Sequence, residues 1–114
     1  MKKISFRTID WNQVSKTEKP GETGRSYSQM IEYPGLRIRI VEYTAGYLAD
    51  HWCQKGHIVY CLEGELVNEQ ENGEKFLLKQ GMSYVVSDDM SSHRSRTEKK
   101  VKLLIVDGDF LKSD

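Results

Sequence analysis

Apolar residues in this chain never run longer than the five from Ile58 to Leu62, and turn-forming residues interrupt them at short intervals. A membrane-spanning helix needs roughly 20 consecutive apolar residues, so nothing here reads as one. No segment carries the apolar spacing of an amphipathic helix over several turns, and what recurs is the two-residue period of a strand. Leu36, Ile38 and Ile40 alternate with Arg37, Arg39 and Val41, which predicts a half-buried strand with its arginines on the solvated face. An inward arginine would instead point to an anionic ligand.

Further short strands follow. His57 to Glu63 is rich in β-branched and aromatic residues, and Gly64 breaks it before Glu65 to Glu69 resumes. Asn72-Gly73 is the preferred pair for a type I′ hairpin turn and leads into Lys75 to Lys79. Tyr84 to Ser87, His93 to Ser95 and Val101 to Asp107 are bounded by Gly, Asp or Ser. Upstream, Ile4 to Ile9 is a weak strand candidate, Asp10-Trp11-Asn12 a turn or short helical start, and Ser15 to Gly24 reads as a long loop. Many short strands with closely spaced turns predict an all-β sandwich or barrel, a jelly roll among the options.

At 114 residues the chain is the size of one domain, with N-terminal strands and a loop over 1–35 and a barrel over 36–107. Seventeen basic side chains balance seventeen acidic ones, so the net field offers no broad attraction to nucleic acid or anionic lipid. The first seven residues are basic but lack an apolar stretch behind them, so a cytoplasmic location is the expectation. Two cysteines are too few for a disulfide framework and are read as thiols or metal ligands.

The three histidines and one cysteine are spaced unevenly. Gly46 is followed by His51, Cys53, His57 and Gly64, and Gly81 by His93 and Thr97. This resembles the two-motif signature of the cupin superfamily, with His51 in the first ligand slot, Cys53 in the second, His57 in the usual glutamate slot and His93 as the last histidine. Within that superfamily, Asp50-His51-Trp52-Cys53 followed by Lys55-Gly56-His57 is similar to the small group called cupins with a DHCW motif. The resemblance implies an all-β cupin jelly-roll barrel with a metal site at His51, Cys53, His57 and His93.

Strand geometry agrees with the resemblance. Residues two apart share a face, so His51 and Cys53 project together while Trp52 points away. A turn at Gln54-Lys55-Gly56 then brings His57 near Cys53, with Val59 and Cys61 sharing its inward direction. Imidazole and thiolate suit one divalent transition metal, Zn, Fe or Ni, better than Mg or Ca. Four protein ligands would close the site, whereas Cys53 off the metal, as a small buried apolar group, would leave open positions. Metal binding is expected to weaken as pH falls through the histidine range near ~6.5.

Cys61, Tyr43, Tyr84, Met82, Trp11 and Trp52 read as packing. Ser95 and Thr97 share the His93 face as candidate supporting donors. The pattern places no inward carboxylate with an acid/base role. The functions expected are a metal-dependent oxygenase or isomerase of a small organic molecule in the barrel, or a non-catalytic small-molecule or metal-binding module. A barrel this small leaves edges and outer face uncovered, which predicts a homodimer.

Overall fold

The structure, a computed structural model, describes residues 3–112. Over these residues the chain forms nine strands: β1 (Thr17–Pro20), β2 (Arg25–Tyr33), β3 (Leu36–Tyr43), β4 (His57–Glu63), β5 (Glu65–Gln70), β6 (Lys75–Lys79), β7 (Ser83–Val86), β8 (His93–Arg96) and β9 (Val101–Gly108). They make a six-stranded sheet in the order β1-β2-β3-β9-β4-β7 and a three-stranded sheet in the order β6-β5-β8, every pairing antiparallel. The last strand inserts between β3 and β4, and consecutive strands β4 and β5 pass from one sheet to the other at Gly64. This is the strand-switching connectivity of a jelly roll.

The N-terminal part differs from expectation. Ile4 to Ile9 forms no strand, and a single 3-10 turn spans Trp11–Gln13, capped by Asp10, whose Oδ1 accepts from Asn12 N–H at 3.0 Å. The segment read as a loop contains β1, which pairs with the long β2. The hairpin predicted at Asn72-Gly73 is present, but its turn is not type I′. That turn needs positive φ at both central residues, whereas only Gly73 of the pair has it, at 97°. Gly73 N–H instead donates to Gln70 O at 3.0 Å, and Asn72 Oδ1 accepts from Glu74 N–H at 3.0 Å, closing a three-residue loop.

The interior is graded along the barrel. Alternate residues of β4 (Val59, Cys61) and β9 (Val101, Leu103, Ile105) meet Val41, Leu66 and Leu78 in the apolar core. Continuing the same alternation by one step each brings His57 and Asp107 inward, both buried. Strand β3 is turned opposite to the sequence expectation. Its register sets Arg37 against Asp107, Arg39 against Ile105 and Val41 against Leu103, so the arginines face the interior.

Ile38 and Ile40 therefore lie on the outer face. A cross-strand row runs Ile31, Ile38, Val106, Ile58, Val85 over five strands. Alternation failed on β3 because both faces of this sheet carry apolar residues, leaving the period to fix the spacing but not the side.

Candidate metal centre

The β3–β9–β4 register places Arg37, Asp107 and His57 at one end of the barrel interior, where the apolar core stops. Gly56 admits β4 to this position: a Cβ there would lie 2.6 Å from Val86 O and from Asp88 N. Cys53 arrives from an irregular segment outside the named strands. Its backbone forms an isolated antiparallel bridge with His93, donating to His93 O at 2.7 Å and accepting from His93 N–H at 2.9 Å. Trp52 anchors the segment, since the Arg94 guanidinium lies 4.3 Å from the centre of its ring and also donates to Glu69 at 3.2 Å.

These constraints gather Cys53, His57 and His93 into one cluster, with one donor atom from each within 4.8 Å of the others. Cys53 Sγ is 3.6 Å from His57 Nε2, and the two imidazoles meet edge to face at 5.6 Å between ring centres. Asp107 is buried and its carboxylate is crowded with donors. Arg37 Nε and Nη2 donate at 3.0 Å each, Arg39 Nη2 at 3.3 Å, and His57 Nδ1 at 3.2 Å.

Burial pushes the Asp107 carboxyl up, but the Arg37 hydrogen bonds and the charges of Arg37, Arg39 and His57 outweigh it, holding the group below its ordinary value. It is therefore an acceptor at neutral pH, which assigns the proton of the neutral His57 ring to Nδ1 and leaves Nε2 bare. Burial and then the Arg39 charge pull the His57 pKa down to about 4 against the opposing pull of Asp107. A carboxylate behind the ligating imidazole, fixing its tautomer, is the arrangement that supports metal-bound histidines.

His93 is held in the same way by a different partner, its Nδ1 lying 2.8 Å from Ser91 Oγ. Burial lowers its pKa as well. Its Nε2 is buried with no hydrogen-bond partner among the described residues, an uncommon state for a polar atom. A metal ion bound to Cys53 and His57 would satisfy that atom, and two imidazole nitrogens with one thiolate form a donor set for Zn, Fe or Ni. The cluster is thus a potential metal-binding site on residues the chain already holds in place.

The structure brings together three of the four side chains expected to bind metal. His51 stands apart, its side chain 73% exposed and its Nδ1 2.7 Å from Asp50 Oδ1. The reason is local: residues 51–53 do not form a continuous strand, so the rule that sets residues two apart on one face does not operate.

Ser95 and Thr97 do not support His93; Thr97 Oγ1 donates to Thr44 O at 3.1 Å, and the supporting hydroxyl is Ser91. An inward carboxylate is present after all, in Asp107. The run Val101, Leu103, Ile105, Asp107 carried the signal for it, because the fourth member of an inward alternation must also face inward.

The cluster opens into a cavity of about 430 Å³ lined also by Arg37, Arg39, Tyr43, Tyr84 and His51. A second, more apolar cavity of about 610 Å³ lies between β6 and β7 and shares only His93 and Tyr84 with the first. Among the described residues no helix is long and apolar enough to cross a membrane.

No protein-family model and no curated protein matches the sequence. Solved structures do match. The chain superposes on an ectoine synthase from P. lautus with a TM-score of 0.73 at 19% identity, covering 90% of this chain and 78% of that one. A predicted oxalate decarboxylase from Thermotoga maritima gives 0.74 at 14% identity over 88% of this chain and 96% of the other. A cupin-like protein from the same species gives 0.72 at 14% identity over 92% and 86%. At such identities the likeness speaks for the fold alone. The chain accordingly has a cupin jelly-roll fold, with a buried Cys/His/His cluster at one end of its barrel.

Proposed function

We propose that this chain is a metal-dependent cupin acting on a small organic molecule held in the barrel, with Cys53, His57 and His93 binding one Zn, Fe or Ni ion. The partnerless, buried Nε2 of His93, facing a thiol and a bare imidazole nitrogen, is the observation that carries this reading. Three protein ligands leave further coordination positions open, the pattern of catalytic rather than structural sites. The metal would supply Lewis acidity toward a bound oxygen function. Asp107 and Ser91 would orient the two imidazoles, and the barrel wall would limit access of water.

The test is elemental analysis of protein purified without chelator, with about one equivalent of metal expected per chain. His93→Ala and His57→Ala should each remove most of it; unchanged content in either variant removes that residue from the ligand set. Oxygen uptake and product analysis against thiols, diols and keto acids then distinguish an oxygenase or isomerase from a binder.

The run Asp50-His51-Trp52-Cys53 supports placing the chain in the DHCW-motif group. Here the tryptophan pins the segment and the cysteine reaches the cluster. A second copy of the chain is the proposed partner of the outer face. Ile58, Tyr60 and Val85 are exposed there, and the bordering Glu42 already pairs with Lys16 and Lys100 at 3.4 and 3.8 Å. Stacking two such faces would bury apolar rows without stranding those charges. Light scattering should report a dimer that Ile58→Lys dissociates; a monomeric parent protein would overturn this.

A further inference from the structure

We propose that Arg39 forms an anion subsite beside the metal cluster, and that the molecule taken up in the barrel is a small carboxylate. This rests on the metal-centre reading for its orientation but on separate residues for its chemistry. Arg39 projects inward from the middle of β3, and its Nε is buried without a hydrogen-bond partner among the described residues. The one hydrogen bond it makes among the described residues is the 3.3 Å contact from Nη2 to Asp107 Oδ2.

Asp107 cannot neutralise it. Both of its oxygens are already taken by Arg37 at 3.0 Å, and Oδ2 also accepts from His57. Two guanidinium groups thus face one carboxylate, and a positive charge is left over at the cavity wall.

The rest of the wall does not supply the missing charge. Lys19 and Lys55 add further cations, and among the described lining residues the one carboxylate is Asp50, engaged by His51 at 2.7 Å. The Arg39 side chain is 22% exposed with its Nε buried, and a guanidinium so placed with spare donors at a cavity wall favours an anion that meets it. Carboxylates match its geometry, and charge-assisted bonds of this kind are the stronger class.

Position gives the subsite its meaning. Arg39 Nη2 and His57 Nδ1 contact the same Asp107 oxygen, so the guanidinium and the ligand ring are separated by a single atom that both touch. A carboxylate on Arg39 would lie in the cavity that Cys53, His57 and His93 also line.

The experiment is isothermal titration calorimetry of the protein as purified, using acetate and glycolate against the neutral isosteres acetamide and glycolamide, with metal content measured on the same samples. The parent protein should bind each carboxylate about tenfold or more tightly than its neutral counterpart, and Arg39→Gln should lose about that factor without loss of metal. Equal binding of acetate and acetamide by the parent protein overturns the inference whether or not the variant folds. So does an Arg39→Gln protein that is folded by circular dichroism and binds acetate as the parent does. Metal present without carboxylate preference sinks the subsite and leaves the metal centre standing; Arg39-dependent carboxylate binding in a chain free of metal does the reverse.

Discussion

Replacing Asp107 by asparagine should unfold this barrel far more readily than its near-identical shape suggests. The carboxylate is 2% exposed and receives hydrogen bonds from two arginines and a histidine. An asparagine oxygen at the Oδ2 position retains three of those contacts, but its amide N–H then opposes Arg37 Nε, and the negative charge is gone. Removing one member of a buried ion pair typically costs 3–5 kcal/mol, and here two cations lose one counter-ion, so a loss of about 4 kcal/mol is expected.

Urea unfolding of chelator-treated protein at pH 7.5 measures it. The pH dependence supplies a second check, because Asp107 sits below its ordinary value in the fold. Its contribution is then whole above the unfolded-state value near ~3.9 and lost as pH falls below that. The gap between parent and Asp107→Asn should hold from about pH 8 to about pH 5 and close below about pH 4. A loss under about 1 kcal/mol, the scale of an exposed ion pair, would show that the buried network does not hold the polar end of the barrel.

Three further outcomes follow from the same geometry. Leu103→Ala, at 1% exposure in the apolar core, should cost about 2–5 kcal/mol in the same unfolding assay. The histidine share of the acid loss of metal should centre on the His57 value of about 4. That moves this share well below the unperturbed histidine range, and competition titrations with a chromophoric chelator would read it. Cys53→Ser should lower metal affinity by at least about tenfold, whereas His51→Ala, which removes an exposed ring, should leave metal content unchanged.

The sequence carried the positions of the later strands better than their sides or their connections. Short apolar runs, the Gly64 break and the Asn72-Gly73 hairpin marked β4 through β6, and the alternation from His57 to Cys61 gave the correct inward set. Strand β2 escaped notice because Ser26, Ser28 and Gln29 interrupt it with polar residues on both faces, so no apolar period announces it. Arg37 and Arg39 were assigned to solvent because isoleucines usually mark the interior, but here they form the outer row and the arginines meet Asp107.

Cys53, His57 and His93 were legible from type and spacing. His51 was not separable from them, because its position depends on an irregular segment set by Trp52, Arg94 and the backbone bridge to His93. Ser91 and Asp107, which hold the imidazoles in place, are common residue types whose roles exist only once the strands are paired.

Anomalous diffraction from crystals of metal-containing protein tests the metal centre most directly, giving element and ligands in one map. A single peak is predicted about 2.0–2.3 Å from Cys53 Sγ, His57 Nε2 and His93 Nε2, with His51 outside its coordination sphere. A peak centred on His51, or none at the cluster after loading with Zn, Fe or Ni, would contradict it.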